Sequence, residues 1–174
     1  MTGIASNQLR SAFVAESTAG TTPSSPSFTT SDVPINMTAA PNVIEHRSLA
    51  AKGEAVETAI AGIDVTGNMS GTLVYGAYDT FFESLLQGAY STNVLKSAKT
   101  TKSVTVENAI AAGVGGTLTM MRYTGVEASS GSLTLASNAE IGFSFDLTGM
   151  GSLDTTTSAI GSSSYTDQTE RAPL

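Results

Sequence analysis

Between Ile63 and Tyr75 the chain alternates strictly, with Val65, Gly67, Met69, Gly71, Leu73 and Tyr75 on one parity and Asp64, Thr66, Asn68, Ser70, Thr72 and Val74 on the other. A two-residue period belongs to a strand with one face on a core and the other in water, so this segment is predicted as a half-buried strand. Its glycines at 67 and 71 mark bends or close backbone approach. The same period returns over Lys102–Glu107 and over Glu140–Thr148, where Ile141, Phe143, Phe145 and Leu147 share the inward parity and Glu140, Ser144, Asp146 and Thr148 the outward one. Thr117–Ser129 and Ser132–Leu135 read as two more strands joined by a turn at Ser130-Gly131, and Gly113–Gly116 reads as a turn. Val33–Val43 is predicted as a strand at a sheet edge or across a gap, where the missing N–H groups of Pro34 and Pro41 cost little.

One segment changes period. Phe81, Phe82, Leu85, Leu86 and Ala89 recur at spacings of three and four, which predicts a helix over about residues 79–88 with a single apolar face. Thr80 and Glu83 stand at capping-box spacing, and Gly88 sits where a left-handed stop is wanted. Two to three turns are marginal in water, so the helix must dock on the sheet. Phe81, Phe82, Leu85 and Leu86 are the candidate contacts on the helix, and Phe143 and Phe145 on the sheet.

The remaining text is punctuation. Residues 1–12 read as an arm or lone edge segment, and Phe13–Phe28, with Pro23, Pro26 and Gly20, reads as an extended linker, giving an N-terminal arm over 1–28. A long exposed hairpin or loop is predicted at about 45–61, because Gly53 and Gly62 break the weak helical pattern there. Its charged residues, Glu45, His46, Arg47, Lys52, Glu54 and Glu57, are candidates for contact with a partner subunit. The expected organisation is one β domain over 1–151 and a Ser/Thr-rich, poorly ordered tail over 152–174.

Composition narrows the function. The 174 residues make one domain, and only 13 % are charged against 40 % hydrophobic, which suits a sheet protein that hides surface against its own copies. A net charge of −7 argues against gripping nucleic-acid phosphates. There is no cysteine, hence no disulfide or thiolate chemistry, and no apolar stretch long enough for a membrane span or a leader. The single histidine, His46, lies in the predicted loop, and no serine occupies a Gly-x-Ser-x-Gly elbow. The carboxylate pairs Glu54 with Glu57 and Glu140 with Asp146 are more simply solvated faces, and neither spacing suits a metal. The residues therefore point away from an enzyme, and no cofactor is expected.

Several of these segments, in order, resemble one family, the tail tube (major tail) proteins of long-tailed bacteriophages. The likeness is carried by Phe13-Val-Ala-Glu-Ser-Thr-Ala-Gly-Thr-Thr-Pro-Ser-Ser-Pro-Ser-Phe28, by Gly62-Ile-Asp-Val-Thr-Gly-Asn-Met69, and by Leu73-Val-Tyr-Gly-Ala-Tyr-Asp-Thr-Phe-Phe-Glu-Ser-Leu-Leu-Gln-Gly-Ala-Tyr90. Lys102–Glu107, Arg122–Val126 and Glu140–Phe145 complete it. The resemblance implies a mainly β, tail-tube-type sandwich or barrel with one flanking helix, forming generally hexameric rings that stack into a tube for DNA. It also implies the phage's tape measure, tail terminator and tail-tip proteins as partners, a place in the virion tail, and assembly in the host cytoplasm. DNA would pass without specific binding, along a lumen for which Asp64, Asn68, Glu140 and Asp146, with Glu127, are the candidate residues. The competing expectation is a monomeric virion decoration or a carbohydrate-binding β-sandwich, although the chain has no Trp and Tyr75, Tyr78 and Tyr90 read as core.

Overall fold

The computed structural model describes residues 9–46, 57–111 and 117–168. Along the chain come β1 (Leu9–Ala15), β2 (Ser27–Thr30), β3 (Asn36–His46), β4 (Glu57–Thr72), α1 (Asp79–Leu86), β5 (Tyr90–Ser91) and β6 (Val94–Leu95). They are followed by β7 (Val104–Ala111), β8 (Leu118–Thr134), β9 (Gly142–Gly149), β10 (Ser152–Thr156) and β11 (Ser164–Asp167). Apart from the small β5–β6 hairpin, the strands form one sheet in the order β11-β2-β1-β7-β8-β9-β4-β3, with β10 also on β8. Its ends, β11 and β3, do not meet, so the sheet is open.

The sheet folds over on β8. Residues 118–126 of that strand pair with β7, and residues 127–134 pair with β9. Register shifts between Val104 and Val106 and between Ala128 and Ser130 mark the crossing, and Gly125 takes φ +62, a left-handed value that suits glycine. The result is a sandwich of two half-sheets. β11, β2, β1, β7, β10 and the first half of β8 make one, and β3, β4, β9 and the second half of β8 make the other.

The core between them takes Phe13, Val104, Val106 and Tyr123 from the first half and Val65, Met69, Phe143, Phe145 and Leu147 from the second. α1 closes one side. Phe81 lies edge-on to Phe13 with ring centroids 4.9 Å apart, and Phe82 edge-on to Phe145 at 5.0 Å. Each such ring pair adds roughly 0.5–1.5 kcal/mol beyond simple burial. Gly131 lets the helix in close: a Cβ there would stand 2.8 Å from Leu85 and 2.9 Å from Phe145. Where β8 parts from β7, Ser84 on the helix accepts the Ala128 N–H at 3.0 Å and stands in for the lost strand.

Several expectations need correction. Residues 9–15 are an interior strand, since β1 pairs with β7 along its whole length and with β2 on its other side, and Ala12 and Phe13 are buried. Ser130-Gly131 is no turn, because β8 runs through it as a bulged strand. The C-terminal segment is strand at 152–156 and 164–167, and β11 lies parallel to β2 with Tyr165 stacked on Phe28 at 5.3 Å. Of the hairpin or loop predicted at 45–61, the described residues 45–46 and 57–61 belong to β3 and β4, which stay paired as an arm out to His46 opposite Glu57. Residues 47–56 between them lie outside the described residues.

The helix ends differ as well. No side chain caps its N-terminus, and Glu83 accepts the Tyr90 N–H at 2.8 Å rather than folding back on Thr80. The left-handed stop is Gln87, at φ 51. Its side chain supports the strain, donating to Ser84 O at 2.8 Å and accepting from Lys102 N at 3.0 Å. Leu86, expected in the packing, is 38 % exposed, and Tyr75 and Tyr90 are exposed while Tyr78 is core. The turn read at Gly113–Gly116 lies outside the described residues.

Candidate functional site

The second half-sheet presents its outer face to solvent. Pairing sets Asn36 opposite Asn68, Asn68 opposite Asp146 and Asp146 opposite Ser130, so these four side chains form one row across all four strands. Asn36 donates to Asn68 at 3.2 Å and Ser130 donates to the Asp146 carboxylate at 2.6 Å. Neighbouring rows carry Thr38, Thr66 and Thr148, then Ser70, Ser144 and Ser132. Asp64 lies further along the same face of β4, opposite Ala40. Neither Lys nor Arg occurs in β3, β4, β9 or the 127–134 half of β8. The face is therefore polar, hydroxyl-rich and acidic.

Of the residues picked out for such a face, the structure brings Asp64, Asn68 and Asp146 together. Glu140 sits just before β9, where it accepts the Thr72 hydroxyl at 2.9 Å on the rim. Glu127 is drawn aside, since its carboxylate accepts the Gln87 amide at 3.3 Å beside the helix end. Glu45, His46 and Glu57 end the arm, while Arg47, Lys52 and Glu54 lie outside the described residues.

Both edges of this half-sheet are open. Among the described residues no strand pairs with the far side of β3, nor with the side of β8 beyond Ala128 that faces away from β9. All three internal pairings are antiparallel, so with four strands the two edges run in opposite directions. An edge without a strand partner is the usual template for pairing with another chain.

The first half-sheet is covered on both faces. Glu16 has its carboxylate filled by four donors: the Ser103 hydroxyl at 2.6 Å, the Thr105 hydroxyl at 2.7 Å, Gly20 N–H at 2.8 Å and Gly125 N–H at 3.0 Å. That ties the Pro-rich 16–26 segment over β7. Further along β7, Glu107 is 0 % exposed and lies 2.8 Å from Arg122 and 3.2 Å from Arg10. Tyr165 on β11 donates to the same carboxylate at 2.7 Å, Arg10 lies 3.8 Å over its ring, and Arg122 donates to Ser158 O at 2.9 Å. Burial, then the bond to Glu107, raises the Tyr165 pKa above the ordinary 10.0.

Neither carboxylate was among the candidates. Glu16 stands inside the Phe13–Phe28 segment that carries the family resemblance, which was the available signal. Glu107 carries the outward parity of an alternating strand and gives no sign of its lid. Among the described residues no three His, Asp or Glu side chains gather into a metal site, and no helix is long and apolar enough to cross a membrane. A cleft of about 380 Å³ beside α1, lined by Tyr75, Asp79, Phe82, Tyr90 and Asn93, has no histidine or paired carboxylate.

Comparison with known proteins agrees with this architecture. The family model described as phage tail tube protein matches residues 6–173. None of the curated proteins compared with the chain matches it in sequence. Among solved structures, a chain of the anti-feeding prophage baseplate, a cryo-EM structure with six-fold symmetrisation, is similar at TM-score 0.57 and 11 % identity, covering 90 % of this chain and 97 % of that one. The SPP1 tail tube, a hybrid solid-state NMR and cryo-EM structure, is similar at TM-score 0.57 and 9 % identity, covering 92 % of this chain and 82 % of that one. At these identities the likeness is one of fold.

Proposed function

This chain belongs to the phage tail tube protein family, and from that premise we propose that its copies join edge to edge into hexameric rings that stack into the virion tail tube, an acidic conduit for DNA ejection. The observation that carries the reading is the half-sheet with two open, oppositely directed edges and one cation-free polar face. A strand edge can be extended by the next copy's opposite edge, with the antiparallel alternation unbroken. Such a joint is heterologous, and it closes a ring when the rotation between copies divides the circle. The six-fold symmetry named for the anti-feeding prophage baseplate supports six copies here.

In such a ring the outer face of the half-sheet lines the lumen, with Asp64, Asn68 and Asp146 on the wall and Glu140 at its rim. Hydroxyls and carboxylates without cations repel phosphate and offer it no counter-ion, so DNA slides. The arm ending in Glu45, His46 and Glu57 leaves the body of the subunit and reaches toward the adjacent ring, with Arg47, Lys52 and Glu54 following in the chain. The tape measure, tail terminator and tail-tip proteins are the partners at the lumen and the two ends, and assembly takes place in the host cytoplasm. Negative-stain electron microscopy with sedimentation tests the reading. Hollow rings or tubes of uniform width are expected; a chain that stays monomeric even with tail-tip components overturns it and favours the decoration or binding-module alternative.

A further inference from the structure

Two uncovered apolar surfaces lie at opposite edges of the same half-sheet. On the arm, Val43 pairs with Ile60 and Pro41 with Ile63. Pairing across the bulge at Asn42 and Val43 puts them on the side that Ala39 and Val65 bury nearer the body. Out on the arm that side is bare: Val43 is 48 % exposed and Ile60 69 %. At the other edge Leu133, opposite buried Phe143, lies on the same side of the sheet as α1, and Leu86, Leu133 and Leu135 are all exposed. Neither group contains a charge.

The edges are also offset. The row Asn36–Asn68–Asp146–Ser130 defines one level, from which β3 runs toward the arm while the open edge of β8 runs the other way toward Thr134. A copy standing level with its neighbour would overlap it over almost none of either edge. Overlap requires the neighbour to be displaced along the strands, which in a closed ring means strands tilted to the axis.

We propose that the arm of each copy, through Val43, Ile60 and Ile63, covers the α1–β8 flank of the next copy at Leu86, Leu133 and Leu135. The seam is stepped along the strands, and the inference rests on the ring reading above. It assigns the occupant of both bare surfaces to a second copy of this chain: each lies on the outward side of the same edge-to-edge joint, and the direction of the offset brings one onto the other. Burial of apolar side chains then adds to the backbone ladder and fixes its register, which hydrogen bonding alone leaves open.

The chain has no cysteine, so disulfide trapping starts from a silent background. Leu133→Cys combined with Val43→Cys, and separately with Ile60→Cys, is oxidised in assembled tubes of the full chain. A non-reducing ladder rising to the ring number is expected from at least one pair, because only a joint that brings the Cα atoms within about 7 Å can be bridged. Val94→Cys with Val43→Cys, an exposed pair outside the seam, should give none. A parallel pair of variants reads the seam without cross-linking: Ile60→Lys should leave the monomer's Tm unchanged and abolish tubes, and Val94→Lys should leave both intact. Tubes in the microscope without a ladder from either pair, or tubes from Ile60→Lys, overturn the seam and leave the ring reading standing. No rings or tubes from the unmodified chain, even with tail-tip components, overturns both.

Discussion

The two half-sheets solve different problems with the same strand geometry. The one built from β3, β4, β9 and the end of β8 has one dry face and one wet face, so its polar residues are held only by neighbours such as Ser130 on Asp146. The one built around β1 and β7 is covered on both faces, so its polar residues must be fully partnered: Glu16 meets four donors and Glu107 two guanidinium groups and a phenol. The same residue type therefore carries opposite weight on the two sides. A carboxylate on the open face sets charge and little else, whereas one under the lids holds the fold.

The largest expected effect tests that contrast at its strongest point. Glu107→Ala removes the buried carboxylate that Arg122, Arg10 and the Tyr165 hydroxyl share, and should cost about 3–5 kcal/mol in urea unfolding, the range for breaking a buried ion pair from one side. A loss below about 1 kcal/mol would place Glu107 with the open-face carboxylates. Glu16→Ala should cost less, about 1–3 kcal/mol, because Glu16 itself is only half-buried and water can reach part of the space its carboxylate leaves.

Tyr165→Phe is smaller again near neutrality, about 1.5 kcal/mol, the low end for one hydrogen bond to a charged group. Its signature lies at high pH. The raised pKa means the folded chain holds the Tyr165 proton more tightly than the unfolded chain does; that stability is present below pH 10.0, the unfolded value, and is lost as the pH climbs through the folded one. The wild-type chain should therefore weaken above that point, and Tyr165→Phe should lose part of that slope in alkaline unfolding titrations. At the other extreme, Asp146→Lys with Glu140→Lys should move stability by no more than about 0.5 kcal/mol per site and leave tubes intact. Phage carrying the pair should eject DNA more slowly. Loss of ring formation would instead place the two residues at an interface.

The same contrast explains what could be read in the sequence. The alternation over 63–72 and 142–148 was legible because one side of those strands is wet, and the phenylalanines at 81, 143 and 145 fell where the period put them. Thr105 and Glu107 alternate just as well, but their polarity marks a partner rather than water, and the lids that cover them come from residues more than 50 positions away in the case of Tyr165. Ser130-Gly131 looked like a turn because glycine there answers to the helix, through Leu85, and not to chain reversal. Leu86 was placed in the core by its spacing, which cannot tell a helix face buried in its own subunit from one left bare. Of the candidate site, the charges on β4 and β9 were readable; the open edges were not, since they are a property of strand order.

Glu16 has one more consequence, in time rather than in space. Three of its four donors, on Ser103, Thr105 and Gly125, come from the later part of the chain, so the segment around it cannot be fixed until β7 and β8 have met. A tie that needs both of those strands in place is expected to form after the main folding barrier. Glu16→Ala should then hasten unfolding and leave the refolding rate nearly unchanged in a stopped-flow chevron. The segment around Glu16 leaves the ribosome before β7 and β8, and it settles only after them.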